Sequence, residues 1–121
     1  MKKYFFAAMA GVVLLAKPVV AGDIAKGKKV FRKCKACHYL EKERNKTGPH
    51  LVNIMGRAAG TVEGYKYSKA MARSGLVWDE ITMAGLLKKP KKYLKGTRMA
   101  FVGLRKESDI ADVIAYLKAP K

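Results

Sequence analysis

The stretch RKCKACHYL, residues 32–40, holds both cysteines of the chain, Cys34 and Cys37, and sets His38, one of only two histidines, directly behind the second. Three uses suit that spacing: a redox dithiol, part of a metal site, or the attachment point of a larger group. Each use requires different companions elsewhere in the chain.

The chain has 121 residues, enough for one domain with a core of its own, and half of them are hydrophobic. Residues 1–21 have the layout of a secretory signal peptide. Lys2 and Lys3 precede a 13-residue apolar run, residues 4–16, which is followed by Lys17-Pro18 and the small-residue site Val19-Val20-Ala21. The run is shorter than the roughly 20 residues of a membrane-spanning helix, so cleavage after Ala21 is expected, with an uncleaved anchor as the alternative. Cleavage removes three lysines and no acid, lowering the formal charge from +17 to +14, and leaves residues 22–121 as the mature domain. Export into an oxidising compartment would close an unprotected cysteine pair. A bridge across two intervening residues, however, removes little chain entropy. Some other use of the sulfurs is therefore expected.

Helix signals are short and scattered. Asp23 can cap a helix running through Ile24, Val30 and Phe31, in which Gly27 costs about 1 kcal/mol against alanine. A glycine at that position suggests close approach by another helix. The partner is expected near the C-terminus, where Ile110, Val113, Ile114 and Leu117 follow helical spacing, Asp109 lies in the first turn and Pro120 closes the element. Residues 45–60, NKTGPHLVNIMGRAAG, are dense in turn formers and read as loop. Ser68 can cap a short helix ending at Gly75, and Asp79 one over residues 80–89 that Pro90 stops. Residues 95–103, KGTRMAFVG, form a final turn region. No strand alternation, repeat or low-complexity segment is present. The expected fold class is all-α, with short helices and long loops. Long loops in a compact domain call for a functional reason, and a large apolar cofactor at the centre would supply one.

Cys-x-x-Cys-His is the attachment signature of c-type haem. A thioredoxin-like dithiol would need a strand before the motif, and none is legible there. A closed zinc site normally takes four nitrogen or sulfur ligands, and the chain offers only Cys34, Cys37, His38 and His50. Haem c with iron is the best fit: two thioethers along one porphyrin edge and the following imidazole on the metal. For the opposite face, Met71 and Met83 lie in expected helices, where methionine commonly fills the core. Spacing alone leaves Met55 open, and His50 reads as a loop histidine. Met99, between Gly96-Thr97 and Phe101, lies in an irregular segment that can bring a thioether over a flat ring, and is the preferred distal ligand.

The segments KGKKVFRKCKACHYLE, KTGPHLVNIMGRAAG, YKYSKAM, GLVWDE, KKPKKYLKGTRMAF and DIADVIAYLK occur in the order found in class I cytochromes c. Residues 22–119 resemble that family, especially the soluble bacterial relatives of mitochondrial cytochrome c. The resemblance implies the cytochrome c fold, with the N- and C-terminal helices crossing at Gly27 and Tyr116. It further implies one covalently bound haem c per chain, with Cys34 and Cys37 as thioether positions and His38 and Met99 as axial ligands. Pro49 is then expected to pack and hydrogen-bond on the histidine side, Arg57, Tyr67 and Trp78 to hydrogen-bond the haem propionates, and Thr97 to lie near the methionine. A buried propionate needs donors, which these three side chains possess. Two positions depart from the pattern. Leu86 stands where many relatives carry a tyrosine, and Lys95 replaces the usual proline, loosening the segment that carries Met99.

With both axial positions filled, the expected chemistry is one-electron exchange with no catalytic residue: an electron carrier, not an enzyme. The alternative is a haem enzyme or gas-ligand sensor in which the methionine is labile. Lys28, Lys29, Lys33 and Lys35 on one side and Lys91, Lys92, Lys95 and Arg98 on the other form two basic runs flanking the expected haem edge. Such a ring steers acidic redox partners at high on-rate while keeping contacts weak. Resemblance suggests a cytochrome bc-type complex as donor and a terminal oxidase, photosynthetic reaction centre or peroxidase as acceptor. The carrier is expected in the periplasm as a monomer, touching membranes only peripherally. Without an aromatic-interleaved basic motif, nucleic-acid binding is not expected.

Overall fold

The structure, a computed structural model, describes residues 11 and 21–121. The expected signal segment therefore lies almost entirely outside the described residues. The described residues form five helices in order: α1 (Ile24–Phe31), α2 (Lys69–Ala72), α3 (Glu80–Lys88), α4 (Pro90–Tyr93) and α5 (Glu107–Lys118). Among the described residues the only strand-like feature is an isolated antiparallel bridge between Ala58 and Val77.

Helix α1 starts where Asp23 turns extended and its carboxylate accepts the Lys26 N–H, satisfying one of the orphan donors of a helix start. Its buried residues are Gly27 and Phe31, one turn apart and thus on one face. That face crosses α5. A Cβ on Gly27 would lie 1.9 Å from the Asp112 carbonyl oxygen and 2.8 Å from the Tyr116 Cβ, so no side chain fits between the two backbones. Below the crossing, the Phe31 and Tyr116 rings meet at 5.5 Å with planes tilted by 59°. Val113 is 1% exposed. Phe31 and Val113 each contribute about 1.5–3 kcal/mol by burial.

Helix α3 opens with a capping box in which Thr82 N–H donates to Asp79 and the Asp79 N–H donates back to the Thr82 hydroxyl, at 2.8 and 3.0 Å. It ends at Lys88, one residue before the expected boundary. Pro90 does more than stop it: proline, with its fixed φ and missing N–H, suits the first turn of a helix and opens α4. Ser68 caps α2 as expected, but this helix ends at Ala72, before Gly75, because Arg73 already leaves helical geometry. Residues 45–60 contain no helix.

After α4 the chain runs irregularly to α5. Gly96 takes a φ of +90°. At the far end, Leu104 N–H donates to the Leu87 carbonyl at 2.8 Å, and Gly103, at φ +108°, packs so that a Cβ would lie 2.1 Å from the Lys88 carbonyl oxygen. The segment is thereby fastened to the end of α3.

Gly27→Ala is expected to cost about 3 kcal/mol, because the obstructing atoms are backbone and cannot rotate away. A lowered denaturant midpoint at unchanged slope would register it. An unchanged midpoint would show that α1 can slide along α5.

Candidate haem site

The site begins at the C-terminal end of α1. Beyond Phe31 the hydrogen bonds shorten to three-residue turns: Lys33 N–H to Val30, Cys34 N–H to Phe31 and Cys37 N–H to Cys34, at 3.1, 2.8 and 3.2 Å. His38 N–H then returns to the Cys34 carbonyl at 3.0 Å. This tight winding puts Cys34, Cys37 and His38 on one wall of a cleft. Both cysteines are half-buried free thiols. Burial, and secondarily the neighbouring Cys37, pushes the Cys34 thiol up to about 11, against the opposing influence of Lys33.

The next loop holds His38 in place. Gly48 N–H donates to the Cys37 carbonyl at 2.8 Å and Leu51 N–H to the Tyr39 carbonyl at 2.7 Å. Pro49 thus arrives beside the imidazole, whose Nδ1–H donates to the Pro49 carbonyl at 2.7 Å. That bond fixes the tautomer and leaves the Nε2 lone pair for a metal. Burial lowers the His38 pKa; the Pro49 bond opposes the shift and Lys46 adds to it. Gly48 is buried flat against the ring, since a Cβ there would lie 2.4 Å from Cε1. The sequence reads Gly48 as a turn former; its place in a Gly-Pro pair ten residues after His38 is the signal it offers.

The opposite wall comes from the segment between α4 and α5. Thr97, Arg98, Met99, Ala100 and Phe101 line the cleft, and Met99 N–H donates to the Thr97 hydroxyl at 3.3 Å. Met71 and Met83 line it too, whereas Met55 packs on the core outside the lining. His50 also lies outside the lining. Its Nδ1 accepts the Val52 N–H at 3.3 Å and its own N–H donates to Asn45. Leu86, 5% exposed, and Leu87 complete an apolar floor.

Arg57, Tyr67 and Trp78 stand together along the cleft. The Trp78 backbone N–H donates to the Arg57 carbonyl at 2.9 Å and the Ala59 N–H to the Leu76 carbonyl at 2.8 Å, on either side of the Ala58–Val77 bridge, and the Gly56 N–H donates to the Trp78 carbonyl at 2.6 Å. The Arg57 guanidinium donates to the His50 carbonyl at 3.1 Å and to the Val52 carbonyl. Burial lowers its pKa, opposed by Tyr67 and Glu43. The Tyr67 hydroxyl accepts the Val62 N–H at 3.1 Å, which leaves its O–H to donate. Tyr65, not singled out from the sequence, packs edge-on against Tyr67 at 4.8 Å and donates to the Thr47 carbonyl at 2.9 Å. Lys28, Lys29, Lys33, Lys35, Lys91, Lys92, Lys95 and Arg98 are all exposed. Lys33 and Arg98 reach the cleft from opposite walls.

The cytochrome c family profile matches residues 24–120. The chain belongs to the cytochrome c family. It is 45% identical over 101 residues to cytochrome c 2.1 of Caenorhabditis elegans, covering 83% of this chain and 91% of that protein. It is also 45% identical over 113 residues to cytochrome c2 of Rhodomicrobium vannielii, covering 91% and 90%. The solved structure of cytochrome cH from Methylobacterium extorquens superposes with a TM-score of 0.76 at 45% identity, covering 80% of this cytochrome and 98% of that one. Class I cytochromes c carry covalently attached haem c and transfer electrons; they are not enzymes. The cleft suits that cofactor. It offers about 1380 Å³ of empty space, its open mouth included, walled mainly by apolar side chains, with two thiols, an imidazole and the thioethers of Met71, Met83 and Met99 among its lining groups. No described helix is long and apolar enough to cross a membrane.

Gly48→Ala is expected to push the imidazole aside, cost about 2 kcal/mol in denaturant unfolding and lower the fraction of low-spin haem in the absorption spectrum. Wild-type stability and spectrum in this variant would mean that the ring has room to move.

Proposed function

We propose that this cytochrome is an exported, periplasmic carrier with Cys34 and Cys37 as the thioether residues and His38 and Met99 as the axial ligands. The observation that carries the assignment is convergence: Met99, about sixty residues beyond His38, lines the same cleft as Cys34, Cys37 and a His38 whose Nδ1 is already engaged by Pro49. Haem c supplies reversible one-electron exchange at its iron. His38 presents Nε2 to the metal, and Met99 offers a soft sulfur donor, which favours a comparatively high reduction potential. With His38 and Met99 both holding the iron, a substrate would have no site on the metal. Arg57, Tyr67 and Trp78 supply donors to the propionates. The Thr97 hydroxyl, accepting the Met99 N–H, steadies the backbone that carries the sulfur.

The mature domain is residues 22–121, released from a signal peptide of residues 1–21. The exposed lysines on both sides of the cleft orient this cytochrome toward acidic surfaces of redox proteins. A cytochrome bc-type complex suits the donor role; a terminal oxidase, a photosynthetic reaction centre or a peroxidase suits the acceptor role.

Met99→Ala is expected to abolish the far-red charge-transfer band that marks sulfur ligation in the oxidised protein, and to let carbon monoxide bind the reduced protein. Retention of the band would move the ligand to Met71 or Met83. Raising salt from about 10 to about 200 mM is expected to slow electron transfer to an acidic partner severalfold, as screening shortens the reach of the lysines. A rate indifferent to salt would remove the lysines from docking while leaving the axial ligands untouched.

A further inference from the structure

Gly22 is half-buried although it precedes α1 and its cap. A Cβ on this residue would lie 2.0 Å from the Ala111 carbonyl oxygen and 2.7 Å from the Asp112 backbone nitrogen. The chain is thus already pressed onto α5 one residue before the cap, while Ala21 is exposed. Asp23 N–H donates to the Asp112 carboxylate at 2.8 Å. Neighbouring backbone nitrogens lie at most about 3.7 Å apart, so the Gly22 nitrogen is within about 6.5 Å of that carboxylate oxygen.

The other charges around this groove are spoken for. Among the described residues, Lys88 pairs with Glu107 and Lys118 with Glu80, and these four line the groove together with Ala21 and Gly22. The Asp23 carboxylate caps the Lys26 N–H. Asp112, half-buried on α5, faces the Gly22 end of the chain and forms no ion pair among the described residues.

We propose that hydrolysis of the Ala21–Gly22 bond creates, at the α1–α5 crossing, an α-ammonium group that pairs electrostatically with Asp112. The inference rests on the export reading above. Water adds across the peptide bond under an endoprotease that recognises small residues. Ala21 leaves as the carboxylate end of the released peptide, and the Gly22 nitrogen takes up protons to become an ammonium. Before cleavage this nitrogen is a neutral amide, and the Asp112 carboxylate accepts the Asp23 N–H; afterwards the first charge of the mature chain stands within a Debye length of it. Glycine is required at this position by packing on α5 rather than by the protease.

The test uses holoprotein isolated from a host that exports the full chain and attaches haem, with intact mass and N-terminal sequence read first and a mature start at Gly22 expected. The rate at which a dilute activated ester acylates the Gly22 amine at neutral pH is then followed by peptide mass. A nearby carboxylate favours the ammonium over the reactive amine. Acylation is therefore expected to run about threefold faster in Asp112→Asn and at the wild-type rate in Asp112→Glu. In the wild-type protein, where no variant has to fold, it is expected to speed up about twofold on raising salt. Equal rates in all three proteins and at both salt levels would overturn the ion pair. A mature start at any other residue in exported, haem-bearing protein would overturn the cleavage site while export stands. Protein recovered only in the cytoplasm would overturn the export reading itself.

Discussion

The approach of α1 to α5 at Gly27 is the contact on which the remaining structure depends. Because no side chain separates the two backbones, Phe31 descends directly onto Tyr116 and beside Val113, and the end of α1 is fixed in position and direction. The turn bearing Cys34, Cys37 and His38 continues from that end without an intervening loop. The position of His38 is therefore set by helix packing a full turn or more away. A fold with so little regular structure can hold a site rigidly only if its few helices lock.

The two walls of the cleft are built on different principles. The histidine wall is densely tied: bonds three and four residues long wind the cysteine turn, and the loop of Gly48 and Pro49 folds back onto the Cys37 carbonyl and the His38 ring. The methionine wall is held at its ends, by α4 on one side and the Leu104–Leu87 bond on the other, with few bonds in between. Leu86 beneath it offers no hydrogen-bonding group, and Lys95 in place of proline leaves the entry to the loop less restricted. The two walls of the cleft thus differ in stiffness, and the one with fewer constraints carries Met99.

Much of this was legible in the sequence because it is local. Asp23, Ser68 and Asp79 cap the helices they were expected to cap, since a cap is a matter between a side chain and an amide two or three residues away. The spacing Ile110, Val113, Ile114, Leu117 gave the buried face of α5 for the same reason. The long-range facts were harder. Pro90 read as a stop and turned out to open a helix, because both roles follow from one missing N–H and only the chain on either side decides between them. Gly48 looked like any turn glycine, and its contact with the His38 ring depends on a loop folding back across ten residues. That Met71 lines the cleft and Met55 does not is invisible to spacing, since both stand in short segments whose orientation is set by distant partners.

The fastening of Gly103 and Leu104 to the end of α3 has an architectural consequence. With α4 anchoring one end and this clasp the other, the intervening loop is a strap pinned at both ends, with Met99 and Phe101 pressed on the core between the pins. Its anchorages belong to α3 and α4, so its course across the cleft is inherited from those helices. The glycine at the clasp is the buckle: with no side chain, it lets the strap lie against the end of α3.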